Sequence, residues 1–297
     1  LLAAMYDEDV SMSDDYRFNP ILSARNEYRR NTTNHLQANL GVEWEIIKNL
    51  KFKTTAGYTG RDIKREEFNG SQTRTGNSHP KNTQSKGINA KLTQQSTRNY
   101  LNENTLTYQF NKNKHSFNAL AGLTFQKYSD YTTSITQEYI TNESFGMAGI
   151  GKSDATPTTT ASLGDNAMMS YFTRFNYNYK SKYYANFTVR ADGSSKFAKD
   201  NRWGYFPSGS LAWTFSRESF VANTLPWLSN GKLRTSWGLT GNNRIGNYDY
   251  MAQLITHSNY YKYPWDSSFT TGYVLNSMAN PNLKWETTEQ FDLGVDL

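Results

Sequence analysis

The sequence predicts an all-β protein built on one large antiparallel sheet, and two observations support this. Apolar and polar residues alternate along several segments, which is the side-chain period of a β-strand. The connections between these segments are alternately short and long, as in a transmembrane β-barrel with tight turns on one side and long loops on the other. A soluble sandwich or propeller has no reason to keep every second connection long. The predicted fold class is therefore an antiparallel transmembrane β-barrel.

The clearest hairpin covers residues 168–192. Odd-numbered positions of both arms are mostly aromatic or aliphatic, whereas even-numbered positions carry many polar side chains. This phase predicts that Phe187 and Val189 face lipid and that Asn186 and Thr188 face the lumen. Tyrosines concentrate at the turn, as expected for the aromatic belt at a membrane surface. Taken alone, this segment could equally well be a half-buried hairpin of a soluble sandwich. The pattern of short and long connections therefore decides between a soluble sandwich and a transmembrane barrel.

The same alternation predicts about nine strands in all. The remaining strands are expected at 36–46, 50–58, 106–110, 117–125, 211–215, 233–239 and 283–297. Tight turns are expected at 47–49, 111–114 and 180–182, and long irregular connections at 60–97, 128–167, 192–206 and 241–282. Residues 1–30 are predicted to be the tail of a loop, and a short helix is predicted near residues 219–225.

Residues 1–297 are expected to be one partial barrel domain of a longer protein. Bacterial barrels close with an even number of strands, and about nine are predicted here. The sequence starts at Leu1 without the charged region of a signal peptide, and its last strand, from Phe291 onwards, looks unfinished.

Composition excludes several other classes of protein. No apolar run reaches the roughly 20 residues of a transmembrane helix, and the mean hydropathy is −0.78. The chain has no cysteine, so disulfides and cysteine-based metal or redox sites are excluded. The net charge of +6 is scattered rather than clustered, which argues against nucleic-acid binding. The four histidines lack the spacing of metal ligands. We therefore predict no metal, no cofactor, no catalytic residue and no enzymatic activity.

One motif resembles a nucleotide-binding site and is rejected. Residues 146–153, GMAGIGKS, match the phosphate-binding P-loop pattern at every fixed position. A P-loop needs a helix directly after the motif so that its N-terminus can bind phosphate. The following residues, 154–160 (DATPTTT), contain Pro157 with four threonines and one aspartate around it and do not favour a helix. We expect this segment to be part of a long loop that does not bind nucleotides.

Three runs towards the C-terminal end resemble the SusC/RagA family of TonB-dependent outer-membrane transporters of Bacteroidetes-type bacteria. These are residues 190–197 (RADGSSKF), 201–208 (NRWGYFPS) and 212–220 (AWTFSRESF). Residues 232–242 (KLRTSWGLTGN) and 280–286 (NPNLKWE) continue the resemblance in the expected order. The resemblance covers essentially the whole chain and is most specific from Arg190 onwards.

The resemblance implies about nine strands of a 22-stranded barrel in the Gram-negative outer membrane. It implies TonB-dependent import of glycans or oligosaccharides, or of peptides. The implied partners are outer-membrane lipid, a SusD-like surface lipoprotein, and TonB–ExbB–ExbD through an N-terminal plug and TonB box that this sequence does not contain. The alternative is an outer-membrane adhesin or another barrel without a transport function, which could share the strand pattern.

The longest loop holds the candidate contact residues for cargo or partner: Tyr260, Tyr261, Tyr263 and Trp265. Aromatic rings stack on sugars, but they also pack within loops and anchor protein interfaces, so both interpretations stay open. Within the family runs, Gly193 and Gly204 are expected in turns with positive φ, and Trp203 in the outer aromatic belt.

Overall fold

The structure is a computed structural model, and it describes residues 20–80, 82–256, 261–265 and 268–297. The chain divides into two compact units. Unit 1 comprises residues 1–37, 58–99 and 129–164, and unit 2 comprises residues 38–57, 100–128 and 165–297. Each unit is described by itself below.

The prediction of an all-β fold with about nine main strands is confirmed. A nine-stranded sheet has the order β1-β2-β3-β4-β5-β6-β7-β8-β13, so neighbours along the chain pair with each other up to β8. The strands are β1 (Glu27–Ile47), β2 (Leu50–Asn69), β3 (Asn89–Lys112), β4 (His115–Gln137), β5 (Thr158–Tyr179), β6 (Tyr183–Ser194), β7 (Trp203–Trp213), β8 (Lys232–Asn242), β9 (Gln253–Thr256), β10 (Lys262–Trp265), β11 (Ser268–Thr271), β12 (Tyr273–Ser277) and β13 (Glu286–Asp296).

Helices are few and short. Helix α1 covers Pro20–Asn26, and α2 covers Ser219–Thr224, where a short helix is predicted. Short 3₁₀ segments lie at Glu143–Gly149, where non-helical Gly146 separates two turns, and at Lys199–Asn201 and Phe215–Arg217. Within the described residues, no helix has the length and apolarity needed to cross a membrane.

The three predicted tight turns are confirmed, and each contains residues with positive φ. Asn49 has a φ of 70°, Asn113 of 53°, and Lys180 and Ser181 of 53° and 54°. Two-residue hairpin turns require positive φ because their backbone twist then matches that of the flanking strands, and asparagine tolerates this conformation well. Local turn chemistry therefore explains why these connections are short.

Several strands are much longer than the alternation predicts. Strand β1 already starts at Glu27, so residues 27–30 are not a loop tail. Strand β2 continues to Asn69, β3 starts at Asn89 and β4 ends at Gln137, so the expected loops 60–97 and 128–167 are much shorter. The loop expected at 192–206 shrinks in the same way to residues 195–202.

Polar cross-strand bonds explain how these extensions pair without an apolar face. In unit 1, Arg98 donates to Asp62 with a nitrogen–oxygen distance of 2.8 Å. Asp130 accepts from Gln95 at 3.0 Å and from Thr97 at 2.8 Å. Both faces of these extensions are rich in polar side chains, so the period of two that signals a half-buried strand is missing from the sequence.

Unit 1 also contains a small apolar cluster beside its loops. Phe68, Ala90 and Ile140 are buried together. Gln137, which is fully buried, donates from Nε2 to the Ala155 carbonyl at 2.8 Å, and its Oε1 accepts from the Gly151 N–H at 3.1 Å. A buried amide that is bonded at both ends fixes the path of the loop around it.

The P-loop match lies in this loop, and its surroundings differ from those of a P-loop. Part of it forms the 3₁₀ turn at Glu143–Gly149, and no helix follows Ser153, because the chain runs through a turn into β5. The Lys152 ammonium lies 4.3 Å from the centre of the Phe145 ring. Ser153 donates to the Tyr139 carbonyl at 2.7 Å. The sequence-based rejection of a nucleotide site agrees with this geometry.

The connection between β8 and β13, residues 243–285, is here called the long loop, and it is more regular than predicted. Strand β9 pairs with β12, and β10 pairs with β11, so the loop contains two nested antiparallel pairs. The final strand is shorter than predicted, since β13 begins at Glu286. Leu283 and Trp285 therefore precede the strand, and Trp285 is buried in a cluster rather than placed on the strand's apolar face.

That cluster is the main buried core of unit 2. It is called the loop-side cluster because it lies at the end of the sheet that carries the β6–β7 loop and the long loop, and the opposite end, with the tight turns, is called the turn side. The cluster consists of Phe197, Phe206 and Trp285, and the ring centres of Phe197 and Phe206 lie 5.3 and 5.4 Å from that of Trp285. The Trp285 indole N–H donates to the Arg202 carbonyl at 2.8 Å. A buried tryptophan needs such a partner for its polar atom. The cluster joins the loop between β6 and β7 to the end of the long loop.

The expectation of positive φ at Gly193 and Gly204 is wrong. Both glycines lie within strands, and neither is among the described glycines with positive φ. Space is the reason for glycine instead. A Cβ on Gly193 would lie 3.0 Å from the Trp203 ring, and one on Gly204 would lie 2.5 Å from the Phe206 ring and 2.9 Å from Trp285.

We expect Gly204→Ala to destabilise the barrel by about 1–3 kcal/mol, because the new methyl group overpacks the loop-side cluster. Gly209→Ala is the matched control in the same strand, since its Cβ would have no neighbour closer than 3.6 Å. The measurement is the temperature at which the full-length protein loses its folded band on heat-modifiability gels. Equal transition temperatures for the two variants would show that Gly204 is not constrained by packing.

Candidate functional site

The strands of unit 2 present one apolar face, and strand register keeps it continuous. Phe187 pairs with Phe175 on one side and with Gly209 on the other, and the same row continues to Trp237 and Phe291. Two further rows of this apolar face are Tyr177, Ala185, Leu211, Thr235 and Leu293, and Tyr179, Tyr183, Trp213, Leu233 and Val295. Many of these side chains are exposed, and half of the Phe187 side chain is accessible. Such an exposed apolar face is typical of a membrane-facing wall.

The opposite face of the same strands is polar. Its central row is Asn118, Asn176, Asn186, Ser210, Ser236 and Asp292. Asn186 donates to Asn176, Asn176 donates to Asn118 at 3.5 Å, and Ser236 donates to Asp292 at 3.4 Å. Asn186 and Thr188 therefore lie on the polar face and Phe187 and Val189 on the apolar face, as predicted. The two faces suit a wall between lipid and a hydrated interior.

Aromatic side chains form a belt at each end of the apolar face. The loop-side belt consists of Tyr171, Trp203 and Tyr205, with the Tyr171 and Trp203 rings stacked at 5.8 Å. The turn-side belt consists of Tyr177, Tyr179, Tyr183 and Trp213. At about 3.3 Å per residue, Tyr171 and Tyr179 are roughly 26 Å apart along β5, which matches an apolar band about 25 Å tall. Trp203 thus lies where the outer belt was predicted.

A single carboxylate links the turn-side belt to the connection between β7 and β8. Glu218 accepts from the Lys182 ammonium at 2.8 Å, the Tyr183 hydroxyl at 2.6 Å and the Trp213 indole N–H at 3.3 Å. The bond from Lys182 is the main reason that the pKa of Glu218 falls from 4.5 to about 2, and the bond from Tyr183 adds to it. The carboxylate therefore stays ionised and holds the two turn-side connections together.

On the loop side, residues from the family-like runs converge on the loop-side cluster. Arg190 donates to Asp192 at 2.7 Å and to Ser170 at 2.9 Å, so it joins β5 to β6. Lys196 donates to the Ile245 carbonyl at 2.9 Å, and Asn201 donates to the Pro281 carbonyl at 2.8 Å. These bonds attach both ends of the long loop to the loop between β6 and β7. The runs therefore position the long loop, which is a structural role.

The predicted contact residues lie at the tip of the long loop, as far as the structure describes them. Tyr260 lies outside the described residues. The Tyr261 carbonyl accepts from the Gly272 N–H at 2.5 Å, and Tyr263 lies in β10 with 45% of its surface exposed. The backbone of Trp265 pairs with that of Ser268 in the β10–β11 hairpin. Tyr261, Tyr263 and Trp265 thus share one short hairpin.

Sequence reasoning missed a second set of exposed apolar side chains on the same loop. Leu254 pairs with Leu275 across β9 and β12, and both are exposed. Phe269, Tyr273 and Met278 are more exposed still, with 73%, 72% and 80% of their surfaces accessible. The strand signals at 253–256 and 273–277 are only four and five residues long, too short to stand out from loop sequence. Together with Tyr263, these are exposed apolar side chains on both strand pairs of the long loop, and Tyr263 and Phe269 lie at neighbouring register positions and so face opposite sides of the β10–β11 pair.

The described part of the chain contains no candidate metal site. Within it, no group of three or more histidine or acidic side chains is placed to hold a metal ion. His115, the histidine nearest to the turn-side belt, bonds through Nδ1 to the Tyr177 hydroxyl at 2.8 Å and packs 4.6 Å from the Tyr179 ring. It extends the belt rather than forming a ligand set.

Comparison with protein families gives one match over nearly the whole chain. Residues 4–297 match the family described as TonB dependent receptor-like, beta-barrel. TonB-dependent receptor P3 of Formosa agariphila is 33% identical over 97% of this chain, and TonB-dependent receptor SusC of Bacteroides thetaiotaomicron is 41% identical over 46% of it. The aligned parts cover 27% and 14% of those relatives, so the matched region is only about a quarter or less of their length.

Solved structures show the same fold. A structure of the RagAB peptide transporter matches 92% of this chain with a TM-score of 0.73 and 24% identity. The RagAB peptide importer in its open-open state matches 98% with a TM-score of 0.75 and 22% identity. The matched parts are 29% and 31% of those chains. Identities this low support the fold of the barrel wall and nothing finer.

We expect Phe187→Arg in the full-length protein to lower the yield of folded barrel. Phe187 lies midway between the two belts, where an arginine on the lipid face costs about 2–4 kcal/mol. Ser210→Arg is the control, because Ser210 is a neighbour in the sheet but belongs to the polar row with Asp292. Heat-modifiability gels measure the folded fraction. Equal yields, or the reverse order, would show that the faces are assigned wrongly.

The loss of stability caused by replacing Glu218 should depend on pH in a defined direction. The folded state lowers the pKa of Glu218 from 4.5 to about 2, so its contribution is complete above pH 4.5 and is lost as the pH falls to about 2. Glu218→Gln should therefore be less stable than the wild type at neutral pH, and the difference should shrink as the solution is acidified.

The thermal transition of the purified full-length barrel measures this difference across the pH range. A Lys182→Gln background provides the control, since it removes the main cause of the pKa shift and should reduce the effect of Glu218→Gln. A difference that stays constant at every pH would show that ionisation of Glu218 does not stabilise the fold.

Proposed function

We infer the function from one premise: this chain belongs to the family of TonB-dependent receptor-like β-barrels. It is a β-barrel wall of the outer membrane. We propose that it is part of an importer that uses TonB to take up glycans, oligosaccharides or peptides. The observation behind this proposal is that the sheet of unit 2 has one apolar and one polar face. The strand register aligns the apolar positions of neighbouring strands with each other and the polar positions likewise.

The polar face supports a polar cargo. Amide and hydroxyl side chains, which can both donate and accept hydrogen bonds, dominate the row from Asn118 to Ser236. Such groups exchange bonds with water, sugars or peptides without fixing a strongly charged ligand. Within the family, two of the similar structures are named as a peptide transporter and a peptide importer. We therefore propose glycans or peptides as the cargo classes.

We propose that the long loop contacts a SusD-like surface lipoprotein. Its exposed apolar side chains are aliphatic and aromatic, and they are spread over both strand pairs: Leu254, Tyr263, Phe269, Tyr273, Leu275 and Met278. Scattered single apolar residues are normal at a surface, but a set on two nested hairpins is characteristic of a protein interface. The mixture of leucine and methionine with the aromatics favours a protein partner over a sugar, because sugars stack mainly on aromatic rings. Coupling to TonB–ExbB–ExbD belongs to the same proposal for the whole importer.

Contact with cargo is the second role proposed for this loop, and it concerns the hairpin tip. Tyr261, Tyr263 and Trp265 lie within five residues on the β10 hairpin, and Tyr260 precedes them in the sequence. The bonds from Lys196 and Asn201 anchor the two ends of the loop, and Tyr263, in the hairpin between them, is exposed. Anchored ends with an exposed hairpin residue between them suit a loop that meets a ligand or a lid.

Replacing Tyr263, Phe269 and Tyr273 with alanine in the full-length protein should reduce lipoprotein binding or uptake without lowering the folded yield. The reason is that these side chains are exposed, whereas barrel stability comes from strand pairing and the lipid face. Co-purification of the surface lipoprotein measures the first effect. Uptake of a labelled oligosaccharide and a labelled peptide measures the second.

Tyr248→Ala is the matched control, since Tyr248 is an exposed tyrosine of the same loop outside the two hairpins. It should leave binding and uptake unchanged. If the triple variant keeps normal lipoprotein binding and normal uptake, the contact role of the hairpins is wrong. If it loses the folded barrel instead, these side chains pack within the protein and stabilise it.

A further inference from the structure

The connection between β7 and β8, residues 214–231, differs from the other turn-side connections. The hairpin turns at 48–49, 113–114 and 180–182 are minimal, whereas this one contains a 3₁₀ turn and helix α2. It also exposes large apolar side chains. Phe220 has 62% and Trp227 has 75% of its surface accessible. Minimal turns would suffice to connect the strands, so the added apolar segment needs an explanation.

The segment starts on the apolar side of the sheet rather than on the polar side. Glu218, which immediately precedes α2, accepts from Tyr183 and Trp213, and both residues belong to the turn-side belt. Phe215 packs edge-on against Trp213, with ring centres 5.9 Å apart. The chain is therefore attached to the lipid-facing belt just before it exposes Phe220.

Internal packing fixes part of the segment and leaves its apolar tips outside. Val221 is buried, and Leu228 lies beside Gly231, where a Cβ would approach it to 3.2 Å. The Gly231 carbonyl accepts from the Ser216 N–H at 3.1 Å, which closes the base of the connection. The fold of the segment is thus determined without Phe220 and Trp227, and their exposure is not the result of a loose loop.

The polar groups around the segment suit a phospholipid headgroup region. The Lys180 ammonium lies 5.1 Å from the Tyr179 ring centre, and Arg217 donates to the Ser181 carbonyl at 3.1 Å. The one carboxylate of the segment, Glu218, is bonded to Lys182. Cations beside aromatic rings, next to apolar side chains, are typical of side chains at the membrane surface.

We propose that residues 219–228 lie in the boundary between headgroups and acyl chains of the phospholipid leaflet on the turn side, with Phe220 and Trp227 inserted. The occupant of this apolar surface is the bilayer, because the surface continues the lipid-facing belt through Trp213 and Glu218. Tryptophan and phenylalanine are common in segments that lie at this depth. The proposal depends on the membrane location alone and is independent of what the importer carries.

Spin labels at single cysteines test the depth of the segment, and this chain contains no cysteine of its own. Labels at Phe220→Cys, Trp227→Cys and Asn230→Cys are compared in full-length protein reconstituted in vesicles of phosphatidylethanolamine and phosphatidylglycerol. Asn230 is an exposed polar residue of the same connection and serves as the aqueous control. At positions 220 and 227, oxygen should increase the spin-relaxation rate of the label several-fold more than a water-soluble nickel chelate does. At position 230 the chelate should have the larger effect.

Two outcomes would overturn the proposal. If the labels at 220 and 227 respond to the nickel chelate as strongly as the label at 230, the segment lies in water. If they are shielded from both reagents, the apolar surface is covered by protein, such as another part of the full-length chain or a second copy.

A conservative variant keeps the test valid if a cysteine variant does not fold. The fluorescence difference between the wild type and Trp227→Phe isolates the emission of Trp227 from the other tryptophans. Brominated phospholipids should quench this difference signal several-fold. A difference signal that brominated lipids leave unquenched would contradict insertion of Trp227.

Discussion

Strand register is the constraint on which this structure depends. The apolar face is continuous only because Phe175, Phe187, Gly209, Trp237 and Phe291 fall into one row across five strands. A slip of one residue would turn every side chain of a strand to the other face. In β8 and β13 it would bring Arg234 and Asp292 to the lipid side. Backbone groups in the hydrocarbon must also all be paired, so register errors cannot be relieved by opening the sheet locally. The tight turns at Asn49 and Asn113 limit such slips from one end.

The two ends of unit 2 fix the sheet by different chemistry. At the loop side, aromatic packing dominates, and glycines at 193 and 204 make room for the rings of Trp203, Phe206 and Trp285. At the turn side, one carboxylate with three hydrogen-bond donors joins two connections that are far apart in sequence. Packing of the rings does not depend on a charge, whereas the turn-side contact depends on the ionised Glu218 carboxylate. Between these two ends, the strands of unit 2 need only alternate apolar and polar side chains.

What the sequence predicts well is the part of the protein in contact with lipid. The hairpin of β5 and β6, its faces and the tight turns follow from period-two alternation and local turn chemistry. The long extensions of β2, β3 and β4 could not be predicted, because outside the apolar band both faces are polar and the alternation disappears. The strands of the long loop are too short to give a signal.

For Gly193 and Gly204 the sequence predicts turns, because a glycine in a strand gives no sign of the aromatic ring that packs against it. Of the predicted contact residues, Tyr261, Tyr263 and Trp265 share a hairpin, and their role remains a prediction.

The division between wall and loops lets the presented surface change while the wall stays the same. Wall stability rests on register, the lipid face and the two fixed ends, and the long loop contributes mainly through its base, where Lys196, Asn201 and Trp285 attach it. Changes beyond that base therefore alter which surface is presented without altering how the strands pair. Exposed leucine, methionine and aromatic side chains on the long loop are unfavourable in water, and the proposed lipoprotein contact would cover them. The same argument applies at the turn side to Phe220 and Trp227, where the bilayer beside the lipid-facing belt would cover them.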